Sequence, residues 1–195
     1  GADSLGFATG GAVRMIVDDN SRISLSNNDL GADNTVLGFL AGAGILSGGE
    51  DNTLIGDYAG NAITTGDNNV AIGSGAALAL VSGESNVAIG TNALLSAAVG
   101  ESYNIAIGHH TFRYMDEGTA GGDIDFNIAI GHSAFQGGDL AGNDRQIQDN
   151  IAIGAYALDA TSDNAQTGTI AIGRSALSAL TSGAGNTAVG YQAMA

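Results

Sequence analysis

A five-residue word recurs nine times along this 195-residue chain, and its spacing constrains the fold more than any other feature. The word consists of Asn, a β-branched residue, a third residue that is usually Ala, a large aliphatic residue and Gly. Successive closing glycines lie 17 to 23 residues apart, and alanine stands three residues after eight of the nine. The words begin at Asn34, Asn52, Asn69, Asn86, Asn104, Asn127, Asn150, Thr169 and Asn186. Such periodicity is typical of repeat proteins in which each unit packs on its neighbours.

Each word predicts a β-strand, because its apolar residues alternate with period two. The second and fourth positions then share one side of the strand, and the third position points to the opposite side. The third position is alanine in seven words, with Val36 and Leu54 as exceptions, whereas a solvated face would collect Thr, Ser, Lys or Glu. We therefore expect both faces to be buried, the aliphatic one against large side chains and the alanine one across a narrow gap. The repeat positions of the five central words are Asn69, Ile72, Gly73, Asn86, Ile89, Gly90, Asn104, Ile107, Gly108, Asn127, Ile130, Gly131, Asn150, Ile153 and Gly154.

The segments between the words predict corners rather than helices. Clusters of Gly, Asn, Asp and Ser, such as those at 47–51 and 82–85, interrupt every unit and supply the positive φ angles of tight turns. Strand, corner, short apolar stretch and second corner then form one coil of an all-β parallel β-solenoid. About nine coils at a rise of roughly 4.8 Å extend about 40 Å. The stacked asparagines are expected to form a hydrogen-bonded ladder.

The unit Asn-x-Ala-Ile-Gly-x-x-Ala resembles the head repeats of trimeric autotransporter adhesins and the related repeats of bacteriophage tail fibres. The resemblance covers residues 34–195 and implies a left-handed parallel β-roll, three copies of which pack around a shared axis. Small side chains let backbones approach closely, so we expect the alanine row to meet another copy. The units here exceed the shorter adhesin repeat, and the wording from Asn186 to Met194 is more similar to phage fibres.

Residues 1–30 differ from the repeat and are predicted to form a separate β-hairpin that caps the solenoid of residues 31–195. Apolar residues alternate around Val13 to Val17, an Asp-Asp-Asn turn follows at 18–20, and a second short apolar segment ends at Leu25. This stretch is similar to a β segment that precedes such repeats in phage fibres. Because the chain begins at Gly1 and stops inside a unit, we expect it to be an internal piece of a longer protein.

Two units of 23 residues carry the candidate binding residues. Their insertions, at about 109–126 and 132–149, predict loops on one side of the rod, where binding residues concentrate. His109 and His132 occupy the same slot after the glycine and are candidate metal ligands, although a solvated surface role is the favoured interpretation. Aromatic and arginine side chains are enriched at interfaces, although these loops could instead pack on the rod itself. The partner-contact candidates are Phe112, Arg113, Tyr114, Met115, Phe135 and Arg145.

Composition excludes several function classes. The chain has no Cys and no Lys, and its 20 acidic residues against 5 arginines give a net charge of −15. A P-loop, a Schiff base, a thiolate zinc site and a basic nucleic-acid patch are therefore excluded, and anionic membranes are disfavoured. No catalytic constellation is present, so we expect no enzyme and no cofactor. No run of about 18 apolar residues predicts membrane insertion.

These features predict a structural protein of the virion or of the cell surface. The leading hypothesis is the shaft or head of a trimeric phage tail fibre that takes part in host attachment and receptor binding. The alternatives are a bacterial trimeric autotransporter adhesin and the subunit of an extracellular β-solenoid filament. An ice-binding solenoid is disfavoured, because the sequence contains no regular exposed threonine ladder.

Overall fold

A computed structural model of the chain is entirely β in the residues it describes. These are residues 5–9, 12–17 and 23–25, of which only the backbone is described, and residues 31–96, 100–114, 123–137, 146–160 and 165–195. No helix occurs in these ranges.

The nine repeat words form nine strands of one parallel sheet, as the spacing predicts. The strands are β4 (Thr35–Leu37), β5 (Thr53–Ile55), β6 (Val70–Ile72), β7 (Val87–Ile89), β8 (Ile105–Ile107), β9 (Ile128–Ile130), β11 (Ile151–Ile153), β13 (Ile170–Ile172) and β14 (Thr187–Val189). They lie in sequence order, and each pairs in parallel with the next. The register is unshifted, so that Ile72 lies beside Ile89 and Ala71 beside Ala88. A second parallel ladder joins β10 (Ile147–Gln148) to β12 (Gln166–Thr167). The chain is therefore a parallel β-solenoid.

The two faces of the sheet are inverted relative to the sequence expectation. The alanine row points into the coil, where Ala71, Ala88 and Ala106 are completely buried. The second and fourth positions point outwards, and in the central strands they are half-buried. The prediction of an alanine row that meets another copy is therefore wrong, and the aliphatic side chains do not form the interior of the coil. The physical reason is the narrow bore of the coil, which leaves room for methyl groups beside the side chains that enter from the opposite wall.

The interior is filled by complementary pairs of large and small side chains. In most turns an alanine in the strand is matched by a large residue four positions after the word's glycine, as with Ala88 and Leu94. In the second turn the sizes are exchanged, because Leu54 occupies the strand position and Gly60 the other. A Cβ on Gly60 would lie 2.7 Å from Cδ2 of Leu54. The exchange keeps the summed volume of this pair close to that of the Ala–Leu turns, although the third turn pairs two small residues, Ala71 and Ala77.

Left-handed backbone conformations make this interior possible. Non-glycine residues adopt positive φ at three recurring points of the coil, and Leu94 (φ 52°) and Phe112 (φ 55°) are examples. This conformation turns adjacent side chains to the same side, so that both Ala93 and Leu94 are buried. Burial of a leucine or phenylalanine side chain stabilises the fold by about 2 kcal/mol. That gain offsets the cost of roughly 1 kcal/mol for a left-handed residue.

The predicted asparagine ladder is confirmed. Asn69 donates from Nδ2 to Oδ1 of Asn52 (3.1 Å) and to the carbonyl oxygen of Gly83 (2.8 Å). Its own Oδ1 accepts from the backbone N–H and from Nδ2 of Asn86, both at 3.0 Å. The same pattern extends from Asn34 to Asn150, where the last carbonyl accepts the backbone N–H of the next word. The ladder thus joins each coil to the next and to its own second corner.

The glycine that closes each word is required by close contact between coils. At Gly73 φ is +132°, and a Cβ there would lie 2.7 Å from the backbone carbon and oxygen of Gly90. The same approach recurs along the glycine row, so any side chain would separate two coils.

The N-terminal region forms a small antiparallel sheet of its own. β2 (Ala12–Val17) pairs with β3 (Ile23–Leu25), as the hairpin prediction requires, and β1 (Leu5–Thr9) adds a strand that the sequence did not predict. Its role as a cap stays a prediction.

Candidate functional site: an outward aliphatic face

The outward side chains of the nine strands form a continuous surface, which we call the aliphatic face. It consists of two parallel rows, the second and fourth positions of every word. These side chains are Thr35, Leu37, Thr53, Ile55, Val70, Ile72, Val87, Ile89, Ile105, Ile107, Ile128, Ile130, Ile151, Ile153, Ile170, Ile172, Thr187 and Val189. Neighbouring coils cover the central members in part, whereas Leu37 and Val189 at the two ends are 60% and 66% exposed.

The composition of the aliphatic face is unusual for a solvated surface. No charged residue stands in any of the nine strands, although the chain carries 20 acidic side chains. Nine strands spaced about 4.8 Å apart and about four residues wide give a surface of roughly 500 Å². An apolar patch of that size is as large as the largest on typical monomers, and such patches mark interaction sites. Sheets that are wholly parallel are also normally covered on both faces.

An exposed aromatic pair borders the aliphatic face. The residue directly before each word is exposed in eight of the nine coils and half-buried at Ser85, and we call these residues the leading row. Its members are Asp33, Asp51, Asn68, Ser85, Tyr103, Phe126, Asp149, Gly168 and Gly185. Tyr103 and Phe126 stack with their ring centroids 4.9 Å apart and their planes 3° from parallel. They are 50% and 54% exposed, so the row changes from polar to aromatic at two adjacent coils. Sequence reasoning missed this pair, although reading the position before each word down the repeats reveals it.

Beside the aromatic pair lies a half-buried carboxylate. Asp125 accepts a hydrogen bond from the backbone N–H of Ser102 at 2.7 Å. Burial raises the pKa of Asp125 above its usual value, and the negative charge of Asp123 adds to that rise, while the Ser102 hydrogen bond opposes it.

The three histidines form a cluster on the corner after the aliphatic face. The rings of His109 and His132 stack at 5.3 Å, which confirms that they occupy one slot on successive coils. His109 also stacks on His110 at 3.7 Å. Nη1 of Arg113 lies 3.4 Å from Nδ1 of His110, a geometry in which a neutral imidazole accepts the bond. Burial lowers the pKa of His110, and the charges of Arg113, His109 and His132 lower it further. On the next coil Tyr156 packs edge-on against His132.

A metal site is not assembled by these histidines in the described part of the chain. No group of three or more His, Asp or Glu side chains has a geometry that could hold an ion there. A metal site at His109 and His132 would therefore need ligands from beyond the described residues of this chain. The described ranges also contain no helix that could span a membrane.

The partner-contact candidates divide into three groups. Phe112 and Phe135 are fully buried and pack against each other edge-on, with their centroids 5.0 Å apart. The prediction that these two side chains contact a partner is therefore wrong, because they fill the interior of the two longest coils. Tyr114 is exposed and Arg113 is half-buried with its Nε covered, and the guanidinium lies 4.8 Å from the centre of the tyrosine ring. Met115 and Arg145 lie outside the described residues, as do most of the insertion loops.

Comparison of the chain with protein-family models, with curated proteins and with solved structures found no match. The candidate site therefore stands on its geometry.

Proposed function

We propose that this chain is a structural segment of a trimeric fibre, in which three solenoids pack side by side through their aliphatic faces. The fibre is a phage tail fibre that takes part in host attachment, and its location is the virion. The aliphatic face is the main support for the proposal. Parallel sheets are normally covered on both faces, and an uncharged outer surface of this size is typical of an interaction site. The three-fold symmetry and the assignment to a phage come from the resemblance of the repeat.

A second copy of the chain is the occupant that fits the aliphatic face best. Flat rows of Ile, Val and Thr with a spacing of one coil match an identical set of rows on another solenoid. The acidic residues of the described ranges lie outside the nine strands, so that three chains can approach through these strands despite a charge of −15 each. Burial of about 500 Å² per chain at roughly 25 cal/mol per Å² gives about 12 kcal/mol of apolar contact per chain, before the entropy of association.

The mechanical role follows from the two ladders within each coil stack. The asparagine ladder and the parallel sheet connect every coil to the next, so the solenoid resists bending and gives proteases few exposed strand edges. A trimer of such rods would hold an attachment region at a fixed distance from the particle. Arg113 and Tyr114, on the outside of the first long unit, are the described side chains best placed to touch a receptor.

The experiment is a mass measurement on the native chain and two matched variants. Sedimentation equilibrium should give about 58 kDa for the native protein, three times its 19.2 kDa. Ile89→Asp places a carboxylate in the centre of the aliphatic face and should yield a folded monomer. Thr91→Asp introduces the same charge two residues away, on an exposed corner where Asp57 occupies the corresponding slot, and should remain a trimer. Circular dichroism checks that each variant retains its β-structure.

Three results would contradict the proposal. They are a native chain that stays monomeric at 100 µM, a dimer in place of the trimer, and an Ile89→Asp variant that assembles as well as the native protein. A filament subunit would instead give open-ended assemblies whose mass grows with concentration.

A further inference from the structure

The aliphatic face by itself fixes only weakly how far one chain is shifted along another. Every coil presents two outward side chains in the same register, and seven consecutive strands carry Ile in the fourth position, from Ile55 to Ile172. The second position is less uniform, since it changes from Thr to Val to Ile and back to Thr along the chain. A slip of one coil therefore leaves most of the fourth row unchanged and loses contact at one coil of nine. Registers are weakly specified wherever the pattern is uniform.

The leading row breaks this translational symmetry at two coils. Tyr103 and Phe126 form its aromatic stack, with Ser85 on the preceding coil and Asp149 on the following one. Both rings border the aliphatic face, on the side from which the strands enter. A slip of one coil would move a ring of one chain to the level of a serine or a carboxylate of its neighbour. Covering a carboxylate with an aromatic ring removes its water without providing a hydrogen bond.

The backbone at these two positions is one that bulky residues adopt less readily than the other members of the leading row do. Tyr103 has φ of +60° and Phe126 has φ of +59°, a conformation that other leading-row residues meet with Asp, Asn, Ser or Gly. Bulky residues adopt this left-handed conformation with strain. In the interior of the coil, the burial of left-handed side chains such as Leu94 offsets that strain. Within its own chain the exposed pair gains its mutual stack but not full burial, since about half of each residue remains open.

We propose that the Tyr103–Phe126 stack sets the axial register of the assembled chains, by packing against the same level of a second copy of this chain. The proposal rests on the proposed side-by-side assembly and adds its specificity: the aliphatic face supplies affinity, and the aromatic pair selects one alignment out of several. The stack is the feature near the middle of the face that a shifted neighbour cannot match.

Cysteine pairing between copies reads the register directly, because the native chain contains no cysteine. One batch of chain carries Val87→Cys and an isotopically labelled batch carries Val70→Cys, and the two are unfolded, mixed, refolded and oxidised. Mass spectrometry then counts disulfides between equal positions and between positions one coil apart. In the native background equal-position pairs should exceed the shifted pairs at least tenfold.

The test variant is Tyr103→Ser combined with Phe126→Ser, since Ser85 shows that the leading row accepts serine. It should remain oligomeric while the ratio of equal to shifted pairs falls towards one. Tyr58→Ser is the matched control: Tyr58 is another exposed aromatic residue with φ of +57°, but it lies on the corner beyond the strand. The control should keep the native ratio.

The possible failures are distinguishable. A native chain that is monomeric by sedimentation, or one that forms neither class of disulfide, overturns the assembly and this inference with it. A double serine variant that assembles with the native ratio overturns the register role alone. A double serine variant that is folded but monomeric also overturns it, because the pair would then supply affinity rather than alignment.

Discussion

Exchange of the Asn69 amide for a carboxyl group tests the asparagine ladder with a minimal change of shape. In Asn69→Asp an oxygen replaces Nδ2, which donates to Oδ1 of Asn52 at 3.1 Å and to the carbonyl of Gly83 at 2.8 Å. Both acceptors are buried and would face a second acceptor. Oδ1 of Asn52 keeps the hydrogen bond from the backbone N–H of Asn69 at 3.0 Å, whereas the Gly83 carbonyl loses the side-chain donor. An unsatisfied buried polar group costs about 1–3 kcal/mol, and the repulsion between the new carboxylate and both oxygens adds to that cost, so we expect a loss of about 3 kcal/mol or more in the free energy of unfolding.

The adjacent residue provides a matched control. Asn68 is exposed, and its leading-row position holds Asp in three other coils. Asn68→Asp introduces the same charge and should change the free energy of unfolding by no more than about 0.5 kcal/mol. Both variants should be compared by chemical denaturation at equal protein concentration, because assembly would otherwise contribute to apparent stability.

The pH dependence of Asn69→Asp gives a second readout. Burial beside two oxygen acceptors raises the folded-state pKa of the introduced carboxyl above its unfolded value. The loss of stability is then full above the folded-state pKa and shrinks as the pH falls through it, because the protonated group again donates one hydrogen bond. The reasoning is refuted if Asn69→Asp is as stable as Asn68→Asp at pH 7, or if acidification does not narrow the difference between them.

Three further predictions concern the glycine row, the interior and the histidine cluster. Gly73→Ala should lower the free energy of unfolding by several kcal/mol, since its Cβ would lie 2.7 Å from backbone; Gly168→Ala, with nothing within 4 Å, should cost about 1 kcal/mol. Leu54→Ala alone should cost about 3 kcal/mol. Gly60→Leu added to Leu54→Ala should recover part of that loss, and a double-mutant cycle by denaturation with no coupling would contradict the volume exchange. Because the folded-state pKa of His110 is lowered, stability should fall as the pH drops from about 7.5 to the unfolded-state pKa of about 6.5 and below. His110→Asn should flatten that slope in pH-dependent denaturation, and an unchanged slope would assign it to other groups.

The repeat made the architecture predictable from sequence. The spacing of the words and their period of two determine nine parallel strands, and Asn at the head of eight words determines the ladder. These features depend on local geometry and on repetition, both of which are visible in the residues themselves.

The direction of the faces could not be predicted in the same way. Alternation shows that Ala88 and Ile89 point to opposite sides, but it does not show which side is inside. That choice depends on the bore of the coil and on the left-handed backbone of Leu94, which brings two adjacent side chains inwards. Leucine and phenylalanine seldom adopt a left-handed backbone conformation. The sequence therefore did not reveal that Leu94 and Phe112 form the side of the interior opposite the alanine row.

The candidate contact residues show the same limitation. Phe112 has the composition of a binding loop, yet its slot, four residues after the word's glycine, is the one that Leu94 fills in the preceding coil. Aligning the repeats by slot would have assigned it to the interior. Tyr103 and Phe126 stand in a slot that holds Asp, Asn, Ser or Gly in the other coils, and that departure from the repeat is the signal of an exposed role.

Intermolecular nuclear Overhauser effects between methyl groups, in an assembly refolded from labelled and unlabelled chains, test the central claim most directly. The central claim is that the strands turn alanine inwards and present their aliphatic side chains to another copy. The account predicts contacts between chains that involve the methyl groups of Ile89 and Ile107, and none that involve the methyl group of Ala88. Contacts between chains at Ala88, or isoleucine methyl groups that contact only their own chain, would contradict it.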